Sequence, residues 1–339
     1  LHRVDRRQRQ MCIRDSPEIM QSRYLKFRKA QRDDMTALLV LMQKIFPTQG
    51  YTEEFIQWQY LNNPAGEANV WMCFDGEKPI GSVTALPHVV WEKDRKVIGY
   101  RIQNVLTDPD YRGLSVYRRL SELCYEFLDS DSTLINFTFP NEKSDKVFRT
   151  SGWTSVGEIP LWICKSSENN MNDLTPKCRL LNKFCSSEED IWDSYRRQGI
   201  LGVDKNVAFL NWRYFDNPQS KYQCYRMDRL GSSVVFILKK YLLANNDLVF
   251  HLCDLFYSSF DENLLLDVMS IIQAKVNKEK ASMITTWLSP IDQLTSVILK
   301  ANYIFSPVIS RSYFLRSNVQ STRFEHSKWN IRMGDSDVY

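Results

Sequence analysis

Apolar and polar residues change period repeatedly along this chain. Residues 24–29 (YLKFRK) predict a first strand. Asp33 or Asp34 suits a helix start, and Leu38, Leu41, Met42 and Ile45 then fall on one face of a 3.6-residue period until Pro47. Residues 52–61 predict a second helix, ended by Asn62, Asn63 and Pro64. Residues 69–74 and 79–90 read as strands around an Asp75–Gly76 turn, and residues 97–106 follow after a further turn. Val116, Leu120, Leu123 and Phe127 mark the face of a third helix. Residues 133–139 predict a strand, 142–150 a short helix with Gly152 at its C-terminal cap, and 153–165 a strand.

The second half runs through similar elements. Residues 207–215 and 262–278 predict helices, and 291–299 a shorter one. Residues 222–227, 233–243, 248–258, 282–288 and 306–315 predict strands. A heptad also recurs. Residues 58–64 read WQYLNNP and residues 212–218 read WRYFDNP, 154 positions later, agreeing or nearly agreeing at five of seven positions. A second alignment sets Phe148, Gly152 and Trp153 against positions 150 residues on, ending in Ala301, Asn302 and Tyr303. Together they predict an internal repeat with a linker over 166–176, rich in Ser, Asn and Asp.

The most informative stretch is 103–120, QNVLTDPDYRGLSVYRRL. A strand ends near Pro109, a tight basic turn follows, and a helix opens. Gly113 lets the backbone turn without a Cβ clash, and Arg112 supplies a fixed positive charge. The amides and dipole of a helix start favour an anion, so a diphosphate suits this turn best.

These residues resemble the acyl-CoA-binding loop of GNAT-superfamily N-acetyltransferases, roughly V-x-P-x-Y-R-G-x-G-x-G/A before a helix. Thr107, Pro109, Tyr111, Arg112 and Gly113 match; Ser115 and Tyr117 depart, where the family has small residues. Ser115 still allows close backbone approach and could cap the helix with its hydroxyl; Tyr117 is expected to point away. The resemblance implies a mixed α/β fold of two tandem GNAT-like domains, each a mostly antiparallel mixed sheet flanked by helices. The expected domains are 20–165 and 177–316, with a tail over 317–339. It implies acetyl-CoA as co-substrate, held by Val105, Leu106, Thr107, Arg112, Gly113, Leu114, Ser115, Val116 and Tyr117.

A second family pattern, N-x-x-A-x-x-x-Y-x-x-x-G-F, gives Asn141, Ser144, Phe148, Gly152 and Trp153 in the same register. The resemblance thus adds Asn141 and Phe148 to the cofactor site. In the family the tyrosine at the register of Phe148 often protonates the departing thiolate, and phenylalanine cannot. The family's glutamate base falls at Gln103 or Asn104, whose amides could only orient a water. Asp108, His88 and Glu158 are the other candidate bases, each equally readable as a turn former, a strand-end polar residue and a solvated strand charge. A lysine-like amine titrates near ~10.4, so an amide-lined site leans towards a less basic acceptor such as an aminosugar.

The equivalent turn of the second half, Tyr257 to Glu262, has no Arg-Gly pair and carries Asp261 and Glu262, which would repel phosphate. One acyl-CoA site is therefore expected, in the first half. The tail sequence GDSD could place Asp335 or Asp337 near the acceptor amine, and it is similar to tails of acyltransferases of bacterial surface-polysaccharide synthesis. A Fem-like aminoacyl or peptidyl transferase and a non-catalytic CoA-binding scaffold are the competing readings.

Charge and composition narrow the field only after one exclusion. Residues 6–16 (RRQRQMCIRDS) reverse-translate to a sequence resembling a transposase adapter used in library preparation, so residues 1–16 are set aside, with Met20 as the candidate start. They hold five Arg and two Asp, a net +3 of the whole chain's +4. The remainder gives no reason to expect nucleic acid or a membrane as partner. No apolar run reaches the length of a membrane span. Seven cysteines outside residues 1–16 lack any metal-like spacing, and only His88, His251 and His326 remain there, so no metal is expected. Reduced thiols in the cytoplasm are the corresponding expectation.

Overall fold

The computed structural model describes residues 24–92, 94–131, 134–166, 178–197, 201–289, 292–316 and 329–336. The adapter-like segment, residues 167–176 of the linker and Asp337 lie outside the described residues.

The first half contributes β1 (Leu25–Lys29), α1 (Met35–Ile45), α2 (Glu53–Ile56), β2 (Asn69–Asp75), β3 (Lys78–Glu92), β4 (Arg95–Thr107), α3 (Val116–Asp129), β5 (Asn136–Thr138), α4 (Glu142–Thr150) and β6 (Thr154–Lys165). The second contributes β7 (Cys178–Leu181), α5 (Ser186–Arg196), β8 (Gly202–Val203), α6 (Val207–Tyr214), β9 (Tyr222–Arg229), β10 (Ser232–Leu242), β11 (Leu248–Tyr257), α7 (Glu262–Lys278), β12 (Met283–Trp287), α8 (Leu294–Lys300) and β13 (Ile304–Arg316). Most expected elements appear within a few residues of their expected ends. Strand β7, helix α5 and the two-residue β8 had no strong period to announce them.

All the strands join one sheet, in the order β1-β2-β3-β4-β5-β13-β6-β12-β11-β10-β9-β7, with β8 beside β3. The order is symmetric about its centre. Pair β4/β5 is parallel, as is β11/β12, and the hairpins outside them are antiparallel. The final strand of each half has crossed over. β6 lies between β12 and β13, both from the second half, while β13 lies between β5 and β6, both from the first. The halves therefore share a continuous sheet.

Local chemistry sets the turns. Gly76, Gly152 and Asn302 all have positive φ (59°, 77° and 62°), and the last two close α4 and α8 at corresponding places. A Cβ on Gly81 would stand 2.5 Å from Val116, so glycine lets α3 settle against β3. Helix α3 buries Val116, Leu120, Cys124 and Leu128 on that sheet face; Leu123 and Phe127 sit at the margin of the same cluster.

Candidate active site

The site begins with a fault in the sheet. On β3, Ser82 and Thr84 face Leu106 and Gln103 of β4, so two β4 residues, Asn104 and Val105, stand against Val83 alone. Asn104 takes φ 48°, the left-handed conformation that lets β4 bulge. Among the described residues β4 pairs with β5 only at Arg101 and Phe137, after which the two part. The Thr138 hydroxyl donates to the Ile102 carbonyl at 3.0 Å, at the point of separation.

The bulge leads to the basic turn. Pro109 opens a short 3-10 turn, and the buried Tyr111 fixes it by donating to Asp75 at 2.7 Å. Arg112, Gly113, Leu114 and Ser115 are all exposed. Gly113 has φ 86°, with open space where a Cβ would stand. Ser115 also takes a left-handed φ of 57°, and its hydroxyl makes no capping bond, contrary to expectation. Its conformation turns the hydroxyl out of the usual capping geometry, which needs an extended residue. The first amides of α3, including Val116 and Tyr117, consequently keep their hydrogens unused within the helix. Val116 itself is core. Tyr117 is half-buried beside Tyr125, whose phenol is raised first by burial and then by Tyr117.

The corresponding turn of the second half is closed by its own sequence. Asp261 accepts from the Leu264 amide at 3.1 Å and caps α7, and Glu262 pairs with Lys300 at 2.6 Å. A carboxylate already occupies the helix start that α3 leaves open.

The candidate bases separate by environment. Asp108 is fully buried, accepting from Lys44 at 2.6 Å and from the Asp110 amide at 3.2 Å, with Lys78 at 3.4 Å. Burial would raise its carboxyl, but these partners outweigh it and hold it below the usual range. It works as a turn former and is a weak base. Glu158 is exposed and accepts from Ser310 at 2.6 Å. His88 is buried against Phe137 and Phe209, and burial, then Arg101 and Arg213, push its imidazole well below its ordinary value. Gln103 turns its carbonyl oxygen to Arg101, whose Nε is 2.9 Å away. Asn104 donates instead to the Tyr60 hydroxyl, which donates in turn to the Met42 sulfur at 3.7 Å.

Two residues assigned through the second pattern have structural places. Asn141 accepts from the Ser144 amide at 3.0 Å and caps α4. Phe148 is core, edge-to-face with Trp153 at 5.4 Å. Val105, Leu106 and Thr107 carry β4 from the bulge to the turn, with Leu106 buried and Val105 and Thr107 partly so.

Asn104 faces a cleft of about 770 Å³ between the halves. Its walls carry Trp58, Gln59, Trp212 and Arg213, all from the repeated heptad, as well as Arg101 and Lys239. The first heptad reaches the cleft through a π-helical turn over Gln57–Leu61, which closes α2 with the Asn62 amide bonded to the Gln57 carbonyl at 2.8 Å. Sequence reasoning used this heptad as a sign of repetition and missed its place at the site.

The tail returns to the same region. Arg101 donates to the Asp335 carbonyl at 2.5 Å, and Arg213 to the carbonyls of Gly334 and Ser336, both at 3.0 Å. The Asp335 carboxylate is buried with Lys205 at 3.2 Å, and Lys205 also holds Asp254 at 2.5 Å. Asp335 is thus committed to an internal ion pair, whereas Ser336 reaches the cleft wall. Among the described residues no cluster of His, Cys, Asp and Glu could hold a metal, and no helix is long and apolar enough to cross a membrane.

Residues 26–156 match the family model of the acetyltransferase (GNAT) domain. Solved structures share the fold across both halves. A GCN5-related N-acetyltransferase from Anabaena variabilis superposes with a TM-score of 0.63 at 16% identity, covering 86% of this chain and 72% of that one. A probable N-acyltransferase from Enterococcus faecalis gives 0.62 at 13%, with the same coverage. Saccharomyces cerevisiae N-myristoyltransferase with bound myristoyl-CoA gives 0.59 at 11%, covering 89% and 81%. No curated protein matches the sequence.

Proposed function

We propose that this chain, which carries a GNAT domain over residues 26–156, is an acyl-CoA-dependent N-acyltransferase. In its simplest form it moves an acetyl group from acetyl-CoA to a primary amine on a small molecule, an aminosugar first among them. The observation that carries this reading is the parting of β4 from β5 after Arg101, beside the Asn104 bulge and the exposed turn at Arg112.

In this reading the turn holds the CoA diphosphate through Arg112 and the amides of Gly113, Ser115, Val116 and Tyr117, with Leu114 alongside. Backbone amides near Val105 and Leu106 receive the thioester carbonyl and stabilise the oxyanion that forms on it. The amine nitrogen attacks that carbon, the C–S bond breaks, and the thiolate takes up the proton the amine gives off. Asn104 orients the amine or a water at the bulge, and the buried Tyr60 hydroxyl, which accepts from the Asn104 amide, holds it in place. Much of the rate comes from positioning, which suits an acceptor that is partly neutral near pH 7.

The second half, in the same reading, is a degenerate GNAT-like module over 177–316 that forms the acceptor side of the cleft. A CoA-binding protein without turnover is the second reading, and the burial of Phe148 among aromatic rings favours it. Release of free CoA from acetyl-CoA, followed by chromatography across a panel of amines, separates the two. Amine-dependent release supports the transferase. Tight binding with no release from any amine supports the second reading.

A further inference from the structure

The cleft between the halves is lined by rings and by amides. The rings form a chain of contacts. Phe46 meets Tyr51 at 6.5 Å between ring centres, Tyr51 meets Phe55 at 4.9 Å, and Phe55 meets Trp58 at 5.6 Å. Trp58 then stacks on Trp212, and every ring of the chain lines the cleft. The chain runs from the exposed Phe46 to two buried indoles, and the exposed Tyr241 and Leu242 of β10 line the same space. The amides are those of Gln49, Gln59, Asn104 and Gln223. Gln59 is only 4% exposed, yet its Oε1 has no hydrogen-bond donor among the described residues. Its last side-chain bond turns easily, so it can present either its oxygen or its nitrogen to the cleft. A buried amide oxygen without a donor is costly unless a ligand completes it. The cations nearby are engaged within the chain: Arg101 and Arg213 with the tail and with neighbouring side chains, Lys240 with Glu279, and Lys239 with the Tyr222 ring. No aspartate or glutamate is among the described lining residues.

We infer that the acceptor is a sugar chain, an aminosugar joined to at least one further sugar, with its amine at Asn104, a hydroxyl bonded to Gln59, and the remaining sugar lying along the rings towards Phe46 and Tyr241. The inference rests on the acyltransferase reading for the amine, but the sugar site stands on the cleft alone. A hydroxyl both donates and accepts, and so does an amide, so amide walls pair with hydroxyls in either sense. Aromatic rings cover the C–H faces of a sugar and take them out of water. The run of rings is longer than one sugar ring, and a cleft of about 770 Å³ is of the size that encloses ligands larger than a single hexosamine. A polyamine or a lysine-rich peptide would instead call for carboxylates on the walls.

Two measurements on the full chain test this. Glucosamine is compared as acceptor with the disaccharide of glucosamine and N-acetylglucosamine, which carries the same single amine on a longer chain. Triacetylchitotriose, a sugar chain with no amine, is titrated calorimetrically into protein saturated with CoA. We expect kcat/KM at least about fivefold higher for the disaccharide, and Tyr241→Ala to lower it at least about threefold more for the disaccharide than for glucosamine. We also expect the trisaccharide to bind and to weaken about fivefold in Gln59→Met, with an unchanged or higher melting temperature, because the oxygen removed has no donor in the folded chain. Equal use of glucosamine and the disaccharide overturns the inference. So does a failure of the trisaccharide to bind. A lower melting temperature of Gln59→Met with unchanged binding would place the amide in the fold, and better use of tyramine than of either sugar would assign the rings to an aryl amine; each overturns it. With no turnover of either sugar, the trisaccharide titration decides. If acetyl-CoA does not bind but the trisaccharide binds in a Gln59-dependent way, the acyltransferase reading falls and the sugar site remains.

Discussion

The indoles of Trp58 and Trp212 exchange hydrogen bonds. Trp58 Nε1 donates to the Trp212 carbonyl at 2.6 Å, and Trp212 Nε1 donates to the Trp58 carbonyl at 2.8 Å, with the rings stacked 4.9 Å apart. The two residues are the anchors of the repeated heptad, and their pairing sits on the cleft wall where the halves meet. Each bond is buried, so losing one donor leaves a carbonyl without a partner. Trp58→Phe or Trp212→Phe should each cost about 2 kcal/mol of stability. The double variant should cost clearly less than the sum, because both changes break one unit. Denaturant midpoints across the cycle measure this, and simple additivity would contradict it.

The crossed strands make a second prediction. Among the described residues β6 has no strand neighbour from its own half, so residues 24–166 alone would leave it unpaired and would also expose β5. That fragment should aggregate or stay unfolded, as judged by circular dichroism and size-exclusion chromatography. Co-expression with residues 178–336 should restore a soluble complex. A folded, monomeric 24–166 fragment would refute the coupling of the halves.

Acid should weaken the protein through the buried His88 and the partly buried His251. Burial, then Arg101 and Arg213, hold His88 well below its ordinary value, and burial, then Lys239, lower His251 to about 4. Unfolded histidine titrates near ~6.5, so below that pH the unfolded chain binds more protons than the folded one. The stability from these neutral rings is present above the unfolded value and is lost as pH falls towards the folded values. Each histidine contributes a loss of up to about 1.4 kcal/mol per pH unit in that window. His88→Leu should remove part of the slope in denaturant midpoint between about pH 6.5 and 5. An unchanged slope would show that His88 is not held neutral.

Chemistry at the bulge should separate from cofactor binding. Tyr60→Phe removes the hydroxyl that Asn104 meets, with little change of volume. It should lower kcat about tenfold or more while leaving acetyl-CoA affinity within about twofold. Equal loss in both would place Tyr60 in cofactor binding or in folding instead.

The sequence and the structure agree unevenly, for physical reasons. The helices and strands of the first half carry clear periods, and the turn from Pro109 to Gly113 depends on local backbone rules, so both were legible. The exchange of β6 and β13 was not, because pairing partners in a sheet are long-range and both strands look alike in period. By residue type Ser115 could cap α3, whereas its left-handed backbone withdraws the hydroxyl. Asp108 looked available until Lys44, Lys78 and the Asp110 amide were seen around it. Arg101, Arg213 and Gln59 gave no separate signal, since a cleft assembled from both halves and the tail exists only once the chain has folded. The clue lies in the heptad, whose two copies both line the cleft.

The most direct test of the account is a calorimetric titration of acetyl-CoA into the protein and into Arg112→Glu. Arg112 is exposed and supports nothing else among the described residues, so the variant should fold with an unchanged melting temperature. The account predicts saturable binding to the parent protein and a loss of affinity of about tenfold or more in the variant, since a carboxylate would face the diphosphate at the start of α3. Equal binding by both would move the cofactor away from this turn, and no binding to a folded parent protein would contradict the acyl-CoA site altogether.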